Sequence, residues 1–158
     1  MVVPWCDQLR VLCHPSVGGF WSHCGLNSTS EAAFAGVAVL TFPIFWDQVT
    51  NSKMVVEDWK MGWKVKRGLG DEEVLVGREE IKEVVRRFMD EEREEVRGMR
   101  RRAGEVSGVR RRAVGKGGSS YEHIEAFLND LCQSNARDPD NNRARGKFSS
   151  SMLQYMNM

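Results

Sequence analysis

Short apolar runs and short amphipathic runs take turns along the first part of the chain. "VVPW" (Val2–Trp5) reads as the end of a strand, and "DQLRVLCH" as a short helix capped by Asp7. "GGFWSH" suits a buried strand. "STSEAAFAG" reads as a helix opened by a capping box, Ser28-x-x-Glu31, and closed by Gly36. "VAVLTFP" is a continuous apolar strand ending at Pro43, and "WDQVTNSKMVVEDW" puts Val49, Met54, Val55 and Trp59 on one helical side. "GWKVKR" alternates as an edge strand does. Apolar strands separated by helices predict an α/β fold, a parallel sheet covered by helices. Further on, "GREEIKEVVRRFMDEEREEVRGMRRRAGEV" gathers Ile81, Val84, Val85, Phe88 and Met89 on one face. "SSYEHIEAFLNDLC" begins with serines suited to capping and continues with Ile124, Phe127, Leu128 and Leu131.

Three regions differ in character. Residues 1–67 are apolar and rich in Trp, Gly and Pro; 68–132 are highly charged with helical periodicity; 133–158 are polar and read as a disordered tail. A length of 158 residues fits about one domain. With 23 Lys+Arg against 22 Asp+Glu, the overall charge gives no reason to expect a nucleic acid or an anionic membrane. The arginine cluster "RRRAGEVSGVRRR" follows a run of acids and reads as a solvated helix face. No apolar run approaches the roughly 20 residues of a membrane span, and "MVVPWCDQLR" lacks the pattern of a signal peptide. A cytoplasmic protein is expected. Cys6, Cys13, Cys24 and Cys132 lack the paired spacing of structural zinc sites, so they read as small buried residues rather than metal ligands.

The candidate chemistry lies at the strand ends, where α/β sheets bind ligands. His23 follows an apolar strand, Gly25 permits a tight turn and close approach, and a helix starts at Ser28. Unpaired N–H groups and the dipole at a helix start favour an anion such as phosphate, with Asn27, Ser28 and His23 as further donors. The plainer reading gives Ser28 and Glu31 to capping and His23 to the core. At two other strand ends stand Trp5 with Gln8, and Asp47 with Gln48. An exposed Trp offers a stacking face and an Asp–Gln pair suits a polyol; equally, Trp5 can be core and Asp47 a cap.

Taken together, the residues Trp5–Gln48, "WCDQLRVLCHPSVGGFWSHCGLNSTSEAAFAGVAVLTFPIFWDQ", resemble the signature box of plant UDP-dependent glycosyltransferases. The matches are W-x-x-Q, L-x-H, VGGF, HCG-x-NS-x-x-E and P-x-x-x-D-Q, in order and at the family's spacing. The resemblance runs from about Val2 to Cys132 and implies a GT-B fold, two facing Rossmann-like domains, of which this chain is part of the C-terminal one. It implies that Trp5 stacks on uracil, the Cys6 backbone meets its edge, and Gln8 and Glu31 bind the ribose. By the same resemblance His23, Asn27 and Ser28 would bind the diphosphate, beside Gly25 and Leu26, while Asp47 and Gln48 would hold the sugar. A terminal Gln implies UDP-glucose as donor substrate, with no further cofactor and no metal.

The chain departs from the family at Leu26, where Trp is usual, and at Ala38, where Pro is usual. The family's general base, a histidine supported by an aspartate, and most of its acceptor pocket belong to an N-terminal domain. Neither His14 nor His123 stands in that context. Only four strands are apparent, against the five or six of a doubly wound sheet. The expectation is therefore a truncated segment that binds a UDP-sugar but is inactive alone. Completed by an N-terminal domain, it would transfer the sugar with inversion to a hydroxyl of a small acceptor. The alternatives are a non-catalytic UDP-sugar-binding module and an unstable fragment.

Overall fold

The computed structural model describes residues 2–65 and 76–136 of the 158-residue chain, with side chains through Ser134. Two compact units divide it, Met1–Arg112 and Ala113–Met158. The first holds α1 (Gln8–Leu12), β1 (Phe20–Ser22), α2 (Leu26–Ala35), β2 (Val39–Thr41), α3 (Asp47–Lys53), a π-helical turn (Met54–Asp58), β3 (Gly62–Lys64), α4 (Arg78–Met89) and most of α5 (Glu94–Val114). The described part of the second contains α6 (Ser119–Ala136).

The strands form a parallel sheet in the order β1-β2-β3. Phe20 pairs with Val39, and Val39 with Gly62. β2 is buried along its whole length, as a central parallel strand must be when helices cover both faces. Its alternating side chains divide the core. Val39 joins Leu12, Ala32, Ala33, Val37, Val55, Met61 and Ala103 on one side. Ala38 and Leu40 join Phe88, Val96 and Met99 on the other. At Gly19 a Cβ would stand 2.2 Å from the Phe88 ring, so the bare backbone lets α4 approach β1 closely. Three hydroxyls tie the elements together. Thr41 donates to the Trp63 carbonyl and accepts from Ser52, and Ser107 of α5 donates to the Phe34 carbonyl near the end of α2.

Several expectations hold. Asp7 caps α1, its carboxylate accepting from the Arg10 N–H at 3.0 Å; α2 ends at Gly36 with φ 77; and β3 lies at an edge of the sheet formed by the described residues. Others need correction. Val2–Trp5 form no strand, so the described sheet has three strands rather than four. The charged stretch does supply helices, α4 and α5, which part where the Asp90 carboxylate accepts from the Glu92 N–H and from Arg93. The serines at 119 and 120 lie inside α6. On that helix Ile124, Phe127 and Leu131 are exposed. Of the four cysteines only Cys24 is buried, so three do not fill core space. The polar tail of 133–158 lies, beyond Ala136, outside the described residues.

The arginine cluster is only partly a solvated face. Arg102 pairs with Glu105. Arg110 instead lies over the Trp59 ring, and Arg111 over the Phe34 ring at 4.5 Å. No helix among the described residues is long and apolar enough to cross a membrane.

Candidate functional site

β1 ends at Ser22, and the chain turns sharply over His23–Gly25 before α2 begins. The turn is made by Cys24, not by glycine. Cys24 takes φ 66, in the left-handed region, whereas Gly25 has φ −58. Gly25 contributes room rather than the turn: a Cβ there would stand 2.7 Å from His23 Nε2, so the bare backbone lets the imidazole lie over it. Cys24 is fully buried, and burial pushes its thiol up to about 11. Its backbone N–H donates to Ser22 Oγ at 3.0 Å.

The capping box predicted at Ser28-x-x-Glu31 does not form. α2 starts two residues earlier, at Leu26, with Gly25 as the N-cap and no side chain bonded to the open N–H groups. The left-handed Cys24 turns the chain early, so the helix begins ahead of Ser28 with its first N–H groups open. Ser28 and Glu31 are thereby placed inside the first two turns, and both meet Gln8. Gln8 Nε2 donates to Glu31 Oε2 at 2.8 Å and to Ser28 Oγ at 3.2 Å. The ends of two motifs, 20 and 23 residues apart in sequence, thus share one half-buried cluster.

His23, Leu26 and Asn27 are exposed around the helix start. His23 is not a core histidine. His14 is exposed too, and its Nδ1 accepts from the Ser16 N–H. Trp5, 82 % exposed, and Cys6 precede α1 with their side chains in solvent. Trp5 is therefore not core.

The third group follows β2. Asp47 is exposed at the first position of α3, and the N-cap is Trp46, which adopts φ 55 and is itself exposed. Gln48 is buried, its Oε1 accepting from the Ile44 and Phe45 N–H groups at 2.9 and 3.2 Å, which fixes the loop before the helix. Sequence reasoning missed Asn51, one helical turn beyond Asp47. Its Nδ2 donates to Asp47 Oδ2 at 2.8 Å and to the Cys24 carbonyl at 3.0 Å. The available signal was a polar residue at i+4 from Asp47, on the side of the helix that packs inward.

Gln8, Ser28 and Glu31 are therefore brought together, and Asp47 is linked to the His23–Gly25 turn through Asn51. Trp5 and Cys6 are tied to this assembly through the short lead into α1. Chemically, the arrangement offers a ring face, an amide–carboxylate pair, open helix N–H groups beside an imidazole, and a second carboxylate. Those are partners for an aromatic base, a diol, an anion and a polyol respectively.

Comparison with known proteins bears on the same residues. The family model for UDP-glucoronosyl and UDP-glucosyl transferase matches residues 1–88. UDP-glycosyltransferase 87A2 of Arabidopsis thaliana is 56% identical over 135 residues, covering 85% of this chain and 30% of that protein. The chain thus spans about a third of the length of such curated relatives. Among solved structures, Os79 of O. sativa, in complex with UDP and deoxynivalenol-3-glucoside, matches with a TM-score of 0.74 and 37% identity, over 82% of this chain and 29% of that one. Phytolacca americana UGT2, complexed with UDP-2fluoro-glucose and pterostilbene, matches with a TM-score of 0.71 and 30% identity, over 82% and 28%. The fold is accordingly α/β, with the Rossmann-like parallel sheet of GT-B glycosyltransferases, and the chain belongs to the UDP-glucoronosyl and UDP-glucosyl transferase family.

Proposed function

We propose that this chain is the donor-binding part of a UDP-glycosyltransferase, holding UDP-glucose for inverting transfer to a hydroxyl of a small acceptor. The observation that carries the reading is the Gln8–Glu31–Ser28 cluster. It joins the W-x-x-Q and N-S-x-x-E motifs in space, as a shared ribose site requires. Around it, Trp5 offers its face to uracil, with the Cys6 backbone at the base edge. His23, Asn27, Ser28 and the α2 N–H groups beyond Gly25 and Leu26 face the diphosphate. Asp47 and Gln48 take the glucose hydroxyls. For Gln48 that role falls to Nε2, since Oε1 already holds the loop.

These groups bind and orient the donor. Transfer also requires a base on the acceptor hydroxyl and a surface that aligns the acceptor. We assign both to protein outside these 158 residues, so the chain binds its donor without turning it over. The molecules named with Os79 and the Phytolacca americana enzyme support a small hydroxylated acceptor.

Isothermal titration of the 158-residue chain tests this. UDP and UDP-glucose are expected to bind, and His23→Ala to weaken both by about tenfold or more, the loss of a hydrogen bond to a charged group. No glucose should be transferred to a phenol or released to water. Absence of UDP binding overturns the donor reading, and measurable transfer overturns the assignment of the base.

A further inference from the structure

We propose that Asn51 is a positioning residue that locks the two halves of the donor site to one another, so that phosphate and sugar are recognised as one unit. The inference rests on the donor-site reading above and extends it to a residue outside the signature segment.

Asn51 is buried, 8% exposed, and both hydrogens of its single amide nitrogen are used. One goes to the Cys24 carbonyl. Cys24 is a left-handed non-glycine residue, a conformation that persists only where its surroundings hold it. Ser22 Oγ grips its N–H and Asn51 grips its carbonyl, so the turn that sets His23 and the start of α2 is fixed at both ends. The other hydrogen goes to Asp47 Oδ2. Asp47 is exposed at the first position of α3, where a free carboxylate would sample several rotamers. Holding one oxygen leaves Oδ1 at a set direction for a hydroxyl. Removal of the amide releases both constraints together.

A second residue of α3 shows the same economy of position. Gln48 fixes the loop on the N-terminal side of the helix while Asn51 fixes the helix to β1's exit. The pair leaves α3 little freedom to slide relative to α2.

The test is a double-mutant cycle on the full chain with UDP and UDP-glucose as probes, using Asn51→Ala and the volume-preserving Asn51→Asp, each alone and with Asp47→Ala. Either Asn51 variant is expected to weaken UDP-glucose about tenfold and UDP only about threefold. The excess for UDP-glucose should vanish in the Asp47→Ala background, because the two residues act as one. Equal losses for the two ligands, or additive effects, would make Asn51 merely structural and sink the proposal. Amide hydrogen exchange adds a readout that needs no ligand. The Thr29 N–H bonds to the Gly25 carbonyl at the start of α2, and the Gln48 N–H to Phe45 at the start of α3. Both should lose protection together in Asn51→Asp; loss at one alone, or at neither, overturns the coupling. If UDP fails to bind the wild-type chain, the donor reading fails, and exchange still decides whether the two segments are locked.

Discussion

Cys24 concentrates three demands in one residue: a left-handed turn, a carbonyl offered to Asn51, and a thiol kept from water. The last has a measurable consequence. The thiol's ordinary value of 9.0 rises to about 11 on burial. Below 9 both the folded and unfolded chains hold the proton. Above it the unfolded chain releases the proton first, so this contribution to stability declines with rising pH and is gone by about 11. Urea unfolding across that window should show the decline, and Cys24→Ala should lose that part of it. A thiol reagent at neutral pH should label Cys6, Cys13 and Cys132 and spare Cys24. Leu26 makes a second test. It is 59% exposed at the first position of α2, so Leu26→Trp meets no core atom. A larger face beside the donor is expected to tighten UDP by about two- to tenfold, read by titration. Residues of this kind differ in how visible they are beforehand. Gln8, Glu31 and Asp47 stand out through the resemblance of their motifs to the family's signature box; by spacing alone Glu31 and Asp47 read as caps. Cys24's turn and Asn51's two hydrogen bonds do not, because backbone strain and a buried amide leave no periodic trace in a sequence.

At the scale of elements, the apolar pattern located the helix–strand alternation because burial on both faces of a parallel strand demands it. Val39–Thr41 is an unbroken apolar centre with a hydroxyl at its end, and the observed strand is those residues. Boundaries were less visible where local chemistry competes with the pattern. Val2–Trp5 has strand-forming residues and no neighbour to pair with among the described residues. Asp90 interrupts an otherwise continuous helical face by bonding forward to Glu92 and Arg93. The α2 start moved because the left-handed Cys24 turns the chain two residues ahead of Ser28, leaving the first N–H groups of the helix without a side-chain cap. α4 illustrates what the correct face does. Phe88 is 2% exposed, meets Trp63 edge-on at 5.7 Å, and fills the space over Gly19. Phe88→Ala is expected to cost about 3–5 kcal/mol in denaturant unfolding. UDP affinity at subdenaturing concentrations should be nearly unchanged, since Phe88 belongs to the core on the sheet face away from α2.

For the whole molecule, the near-zero net charge gives no reason to expect a polyanion partner; locally, Arg110 and Arg111 lie over the Trp59 and Phe34 rings. The parallel order β1-β2-β3 carries one more consequence, for the sequence of events in folding. Phe20 finds its partner 19 positions later, at Val39, and Val39 finds its own 23 positions later, at Gly62. No hairpin can form early, and each pairing waits for a helix to bring the chain back. The first closure encloses the His23–Asn27 turn and α2. The second encloses Asp47, Gln48 and Asn51. The His23–Gly25 turn therefore gains its second hold, the Asn51 amide on the Cys24 carbonyl, only with the second closure, so the last pairing of the sheet is also the step that completes the first turn.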